Sequence, residues 1–96
     1  MLDREKIDQI VREVATANLA AQNVQAVQNE LATDSEGRDA LRITIVLAPD
    51  AITKLKGDAV LDTLVEIQDR LREAGEERFP IVEYATEDEL AASGDS

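Results

Sequence analysis

The chain has 96 residues, no histidine, no cysteine and two aromatic residues, and its 21 acidic residues outnumber its 10 basic residues. This length fits one domain with one modest, mainly aliphatic core. The missing residue types exclude disulfides, cysteine-based zinc sites and histidine-based catalysis. We therefore expect a non-enzymatic protein without a cofactor.

The first predicted element is an amphipathic helix that begins after Asp3, a suitable N-cap, and ends at about Asn18. Its apolar residues recur at spacings of three and four, which places them on one face of the helix. The residues of this stripe are Ile7, Ile10, Val11 and Val14.

The segment Val24–Leu31 is predicted as a first strand, and its several polar residues indicate an edge position. Alternation along a strand places Val27 and Leu31 on one side of it and Val24 and Ala26 on the other.

A polar turn over residues 33–39 follows, with Gly37 expected at positive φ. The segment Ala40–Leu47 gives the clearest strand pattern, because large aliphatic residues occupy every second position. These residues are Leu41, Ile43, Ile45 and Leu47. The alternation indicates one buried face and one mainly solvent-exposed face, on which Val46 is an apolar exception.

One helical turn is predicted over 51–56, and Gly57 is expected to interrupt it. Asp58 is predicted to cap a second long helix over 59–74, and Gly75 to end it. The predicted apolar stripe of this helix comprises Val60, Leu61, Leu64, Val65, Ile67 and Leu71.

The segment Phe79–Ala85 is predicted as a third strand, with Pro80 at its start or on a sheet edge, because proline cannot donate to a strand ladder. The residues Thr86–Glu89 match a capping box that opens a short terminal helix ending at about Ala92. Residues 93–96 are predicted to be a disordered tail.

Together these elements predict one α+β domain over residues 1–92, in the order α-β-β-α-β-(α). The first two strands form an antiparallel hairpin, and the third follows a crossover helix and runs parallel to the second. Two main helices cover one face of this small three-stranded sheet and give a two-layer sandwich. The pattern leaves open which strand the third one adjoins.

The acidic turn Asp34–Asp39 is the one segment that suggests a calcium loop. Aligned on Gly37, an EF-hand would need ligands at Ala32 and Ile43, so the spacing fails. The other acids fall mainly on predicted helix exteriors and in turns, and no histidine can activate a serine. We therefore predict neither a metal site nor catalytic residues.

Lys54 and Lys56 stand beside Gly57 in a loop where a phosphate group could bind. The order helix–hairpin–helix–strand resembles the scaffold of type II KH domains and of small ribosome-binding factors, and the resemblance implies nucleic-acid binding through these lysines and nearby arginines. The Gly-x-x-Gly motif of KH domains is incomplete, because Lys54-Leu55-Lys56-Gly57 holds one of its two glycines. The acidic net charge, and the absence of sheet aromatics other than Tyr84, make nucleic acid an unlikely partner.

The acidic end of the chain favours a different partner, since residues 73–96 hold eight acids and one base. We expect a protein-interaction or regulatory accessory module that contacts a basic protein or a second copy through the open sheet. The candidate contact residues are Arg42, Thr44, Val46, Glu83, Glu87, Asp88 and Glu89. The polar first residues and the lack of a long apolar run predict a cytoplasmic protein without membrane contact.

Overall fold

Residues 2–94 are described in a computed structural model of the chain, with side chains through Ala91. The elements are α1 (Arg4–Leu19), β1 (Val24–Thr33), β2 (Asp39–Leu47), α2 (Pro49–Thr53), α3 (Gly57–Glu73), β3 (Phe79–Ala85) and α4 (Glu87–Gly94). This order confirms the predicted α+β class. Of the predicted tail, residues 93 and 94 belong to α4, and residues 95 and 96 lie outside the described residues. No helix in the described part of the chain is long and apolar enough to cross a membrane.

The sheet has the strand order β1-β2-β3, so β2 is the central strand. β1 pairs with β2 antiparallel, and β3 pairs with β2 parallel. The open question of which strand the third one adjoins is thereby answered: it lies beside β2. The alternation in sequence now has a structural meaning, because every second residue of β2 points to the same side.

The hydrophobic core lies between the sheet and the two long helices. The apolar stripe of α1 packs with Ile67 and Leu71 of α3 onto the alternating aliphatic residues of β2. The largest fully buried side chains include Ile7, Val11, Val14, Leu41, Ile43, Ile45 and Leu47. We call this side of the sheet the core face, and the side that carries Ala40, Arg42, Thr44 and Val46 the outer face.

A β-bulge in β1 corrects the prediction for the first strand. The pairing shifts register between Val24 and Ala26, so that Val24 pairs with Leu47 and Val27 with Ile45. Val24 therefore lies on the core face with Val27, where it is buried, whereas simple alternation placed the two on opposite sides. The extra residue of a bulge reverses the facing of every residue before it.

Two helix N-termini are capped by side chains as the sequence predicts. The Asp3 side chain accepts a 2.9 Å hydrogen bond from the Lys6 N–H and caps α1. At the start of α4, the Thr86 hydroxyl accepts from the Glu89 N–H while the Glu89 carboxylate accepts from the Thr86 N–H, both at 3.2 Å. These reciprocal bonds form the predicted capping box.

The start of α3 was predicted wrongly. The helix begins at Gly57, its N-cap residue is Lys56, and no side chain caps it. Gly57 thus takes part in the helix instead of interrupting it, and Asp58 lies in the first turn. There its carboxylate complements the helix dipole without capping the helix. At the other end, Gly75 closes the helix, as predicted, with a positive φ of 99°.

The buried stripe of α3 is narrower than predicted. Leu61 and Val65 are 62% and 51% exposed, whereas Thr63 is fully buried beside Ile67. The Thr63 hydroxyl donates a 2.7 Å hydrogen bond to the Ala59 carbonyl oxygen, so its polar atom is satisfied inside the core. The helix is therefore rotated so that a threonine faces inward and two aliphatic residues face outward.

A buried ion pair in the connection between α3 and β3 also bonds to the N-terminal segment of the chain. Glu76, whose side chain is fully buried, accepts hydrogen bonds from the Arg78 Nε at 2.8 Å, the Arg78 Nη2 at 2.8 Å and the Leu2 N–H at 3.0 Å. Arg78 also donates to the Leu2 carbonyl oxygen at 3.1 Å. The side-chain hydrogen bonds from Arg78, aided by those from the Arg78 and Leu2 backbone N–H groups, lower the pKa of Glu76 to about 2.

The packing of β2 predicts a sharp contrast between neighbouring residues. Ile45→Ala should lower the free energy of unfolding by about 2–5 kcal/mol, because it opens a cavity in the core. Arg42→Ala should lower it by less than about 1 kcal/mol, since Arg42 is exposed and its ion pairs are weak. Urea denaturation measures both values, and equal losses would contradict the assignment of the two faces.

The Glu76 pKa predicts an acid-sensitive stability. Because the folded pKa of about 2 lies below the ordinary value of 4.5, the ionised carboxylate stabilises the fold above about pH 5. This contribution, on the order of 3 kcal/mol, should be lost as the pH falls from about 5 to about 2. Glu76→Gln should lower the stability at neutral pH and weaken the pH dependence in that window. Glu73→Gln, which removes an exposed acid at the end of α3 that has no ion-pair partner among the described residues, is the matched control and should change the stability far less.

Candidate functional site

Arg42 is the one residue in the interior of β2 that is exposed on the outer face. Its Nη1 lies 3.6 Å from the Glu30 Oε1 on β1, and its Nε lies 3.8 Å from the Glu83 Oε1 on β3. All three side chains are more than half exposed, so these ion pairs contribute little to stability. Arg42 therefore stands between two solvated carboxylates, one from each edge strand.

Thr44 and Val46 lie on the outer face, as the alternation predicts, but they are only 8% and 1% exposed. The Thr44 hydroxyl lies 3.4 Å from the Glu83 Oε1 and donates to it. Val46 pairs with two small residues, Ala26 on β1 and Ala85 on β3. Of the three β2 residues proposed for partner contact, Arg42 alone is accessible to a partner.

A polar depression of about 600 Å³ surrounds Arg42. Its lining comprises Arg4, Asp8, Val27, Gln28, Asn29, Glu30, Arg42, Thr44, Glu83 and Leu90. Leu90 belongs to α4, so this helix reaches the outer face. The depression also passes the β1 edge to α1, where the Asn29 amide donates to the Asp8 carboxylate and to the Arg4 carbonyl oxygen. We call it the Arg42 depression.

The acids of the predicted site that follow β3 lie at the start of α4. Glu87, Asp88 and Glu89 are all exposed, and all belong to the first turn. Carboxylates at this position stabilise a helix by complementing its dipole, and Glu89 also completes the capping box. Glu87 and Asp88 are therefore the two that add exposed negative charge without a role in the capping box.

The acidic turn between β1 and β2 is closed by its own hydrogen bonds. The Asp34 carboxylate accepts from the Arg38 N–H and the Glu36 N–H, both at 2.9 Å, and from the Arg38 Nε at 3.0 Å. The backbone N–H of Arg38 is the main cause that lowers the pKa of Asp34. Gly37 has a φ of 84°, as predicted. Among the described residues, no group of three or more potential ligands could hold a metal ion.

Lys54 and Lys56 line a second depression, of about 870 Å³, between the end of α1 and the start of α3. We call this depression the lysine groove. The amide side chains of Asn18, Gln22 and Asn23 also line it. No side chain caps the first backbone N–H groups of α3. Together with the positive end of the helix dipole, these free N–H groups favour the binding of an anion. Asp50 lines the same lysine groove and opposes that preference.

Ala20 carries backbone strain at the wall of the lysine groove. Its φ of 71° and ψ of 135° lie in a region that alanine rarely adopts. The residue ends α1 and turns the chain toward β1, a place where glycine is usual. Nothing in the sequence pattern marks this position, because the strain arises from the path between two packed elements.

Two aromatic residues on β3 were not assigned a role from the sequence. Phe79 is 56% exposed on the outer face, where it pairs with Ala40. Tyr84 lies on the core face, as its alternation with Glu83 predicts, and its hydroxyl is buried without a hydrogen-bond partner among the described residues. Burial raises the pKa of Tyr84, and the neighbouring Thr63 hydroxyl opposes that shift.

Comparisons of the chain with protein-family models, with curated proteins and with solved structures give no match. The resemblance to the KH scaffold therefore stays at the level of element order. The properties of the outer face and of the lysine groove have to be inferred from their own residues.

The strain at Ala20 predicts that the same substitution has opposite effects at two nearby positions. Ala20→Gly should raise the free energy of unfolding by about 1 kcal/mol, because glycine relieves strain of about 1–3 kcal/mol and loses part of this gain to entropy. Ala17→Gly, in the last turns of α1, should lower it by up to about 1 kcal/mol. Urea denaturation of both variants tests this, and a loss of stability in Ala20→Gly would contradict it.

Proposed function

We propose that this protein is a non-enzymatic interaction module whose outer face binds a positively charged segment of another protein. The observation that carries the proposal is the group of exposed carboxylates around the Arg42 depression. Glu30 and Glu83 border it on the two edge strands. Both carboxylates are more than half exposed, so positively charged side chains of a partner would reach each of them on its own side of Arg42 without displacing any part of the core.

The burial of Arg78 strengthens this proposal. Residues 73–96 hold eight acids and one base, and that base is Arg78. Its side chain is 11% exposed and pairs with the buried Glu76, so it offsets little charge at the surface. Within the segment 73–91, the exposed charged side chains are therefore all acidic: Glu73, Glu77, Glu83, Glu87, Asp88 and Glu89. Such a surface attracts basic partners over a Debye length and repels phosphate backbones.

The residue types of the chain support the non-enzymatic part of the proposal. Without histidine or cysteine, general base and nucleophilic catalysis would depend on carboxylates, lysines, tyrosine or the hydroxyls of serine and threonine. Tyr84 is turned into the core, and Glu30 and Glu83 are solvated beside Arg42. Because the chain has no cysteine, it forms no disulfide and needs no oxidising compartment. We propose that it acts in the cytoplasm.

Nucleic-acid binding at the lysine groove is a second candidate. The observation in its favour is that Lys54 and Lys56 line the same depression at the uncapped start of α3. Asp50 in the groove and Asp58 in the first helical turn reduce the local positive charge. We therefore rank this candidate below protein binding.

Affinity capture tests the proposal, with the wild-type chain and two double variants of equal net charge as baits. The full chain is immobilised and exposed to a native lysate at low salt, and bound protein and nucleic acid are eluted with a salt gradient. The wild-type chain should retain a basic protein that elutes at moderate salt, because screening weakens exposed ion pairs. A Glu30→Gln/Glu83→Gln double variant should lose this protein.

The matched control neutralises two exposed acids on the helix layer, in an Asp62→Asn/Asp69→Asn double variant, and should retain the partner. Equal retention by both double variants contradicts binding at the outer face. Nucleic acid that is retained by the wild type and lost in a Lys54→Gln/Lys56→Gln variant would instead favour the second candidate. Light scattering of the free chain reports whether it self-associates.

A further inference from the structure

An apolar patch lies on the outer face next to the Arg42 depression. Phe79 and Ile81, two residues apart on β3, line a hollow of about 590 Å³ at the hairpin end of the sheet. We call these two residues and their hollow the Phe79 corner. Phe79 is 56% exposed, although its residue type is one that proteins usually bury. A hollow of this size can enclose a side chain of a bound segment.

Carboxylates form the rim of the Phe79 corner. Asp34, Asp39 and Glu77 line the hollow together with Arg38. The Arg38 Nε lies 3.0 Å from the Asp34 Oδ2, and the Arg38 Nη2 lies 3.0 Å from the Glu36 Oε2. The positive charge of Arg38 is therefore offset locally. The rim is therefore acidic around an apolar floor.

We propose that the Phe79 corner holds an apolar side chain of a lysine- or arginine-bearing segment of the partner protein. This inference rests on the proposed function, because it describes how the same partner would be anchored. Charge complementarity selects this occupant: a second copy would bring an equally acidic rim against the first, and like charges facing each other repel. Nucleic acid and anionic lipid are disfavoured for the same reason.

The register of β3 gives the spacing of the recognised segment. Phe79, Ile81 and Glu83 occupy every second position of β3 and point outward, next to Ala40, Arg42 and Thr44 of β2. At about 3.3 Å per residue, Phe79 and Glu83 lie roughly 13 Å apart. An extended partner segment laid along β3 would place an apolar residue at the Phe79 corner and a basic residue roughly four positions away at Glu83.

Peptide selection on the full chain tests this inference. A random peptide library displayed on phage is selected on the immobilised wild-type chain and counter-selected on Phe79→Thr, which keeps a residue suited to a strand. Enriched peptides should combine an aromatic or large aliphatic residue with lysine or arginine at roughly the spacing above. Their affinity, measured by fluorescence anisotropy, should fall about tenfold or more in Phe79→Thr, the loss typical of a residue that anchors an interface.

The matched control is Leu61→Gln, which removes an equally exposed apolar residue from α3 and should leave peptide affinity unchanged. Thermal unfolding confirms that both variants are folded. Failure to enrich peptides, enrichment of peptides without basic residues, or equal affinity for wild type and Phe79→Thr would each overturn the inference. A wild-type dimer in light scattering that Phe79→Thr abolishes would overturn it too, because a second copy would then be the occupant.

The two proposals can fail separately. If Glu30→Gln/Glu83→Gln loses the lysate partner while Phe79→Thr retains it, binding at the outer face stands and the apolar anchor is wrong. If neither variant changes retention, the proposed function itself is wrong.

Discussion

The burial of the central strand is the constraint on which the rest of the molecule depends. From Ala40 to Leu47, every residue of β2 except Arg42 is less than a tenth exposed. The strand is bonded to β1 on one side and to β3 on the other, so its backbone polar groups are paired inside the structure. Its core-face side chains are the floor on which α1 and α3 pack. Each buried methylene contributes only about 0.8 kcal/mol to the free energy of folding, so an aliphatic core of this kind has to bury many of them in close contact.

This constraint also determines where a partner can bind. A strand that is buried almost throughout leaves little of itself for recognition, so the accessible part of the outer face consists of Arg42 and the exposed residues of the two edge strands. α4 brings Leu90 to the outer face, where it lines the Arg42 depression with Thr44. The hairpin end, where Phe79 stands, stays accessible. Both edges carry features that discourage strand addition, namely the bulge in β1 and Pro80 in β3. These features favour binding on the outer face over extension of the sheet.

Local patterns in the sequence were sufficient to predict the elements and the core face. The period-two alternation of β2, the Asp3 cap and the Thr86–Glu89 capping box each depend on residues close in sequence, and the structure confirms all three. The errors arise where distant elements decide the outcome. The bulge at Val24 depends on pairing with β2, and the rotation of α3 that buries Thr63 depends on its packing inside the core.

The candidate site shows the same division between local and distant causes. Alternation along β2 predicted which face holds Arg42, Thr44 and Val46, but it could not predict that two of them are buried. Their burial depends on elements distant in sequence, such as α4, whose Leu90 lines the same depression as Thr44. The Glu76–Arg78 pair had no signal at all, because its geometry requires the backbone of Leu2, 74 residues away from Glu76.

That buried pair links the stability of the domain to the charge of its surface. Glu76 and Arg78 satisfy each other in a site that is nearly closed to solvent, so the only base in the last quarter of the chain is removed from the surface. In the proposed interaction, the remaining exposed acids would act over several ångströms and would bring a basic partner close in many orientations. Only contact at short range can then select one orientation, and the Phe79 corner is the apolar feature beside those acids that can provide it. Charge would therefore control how fast the partner associates, and the aromatic residue would control how long it stays bound.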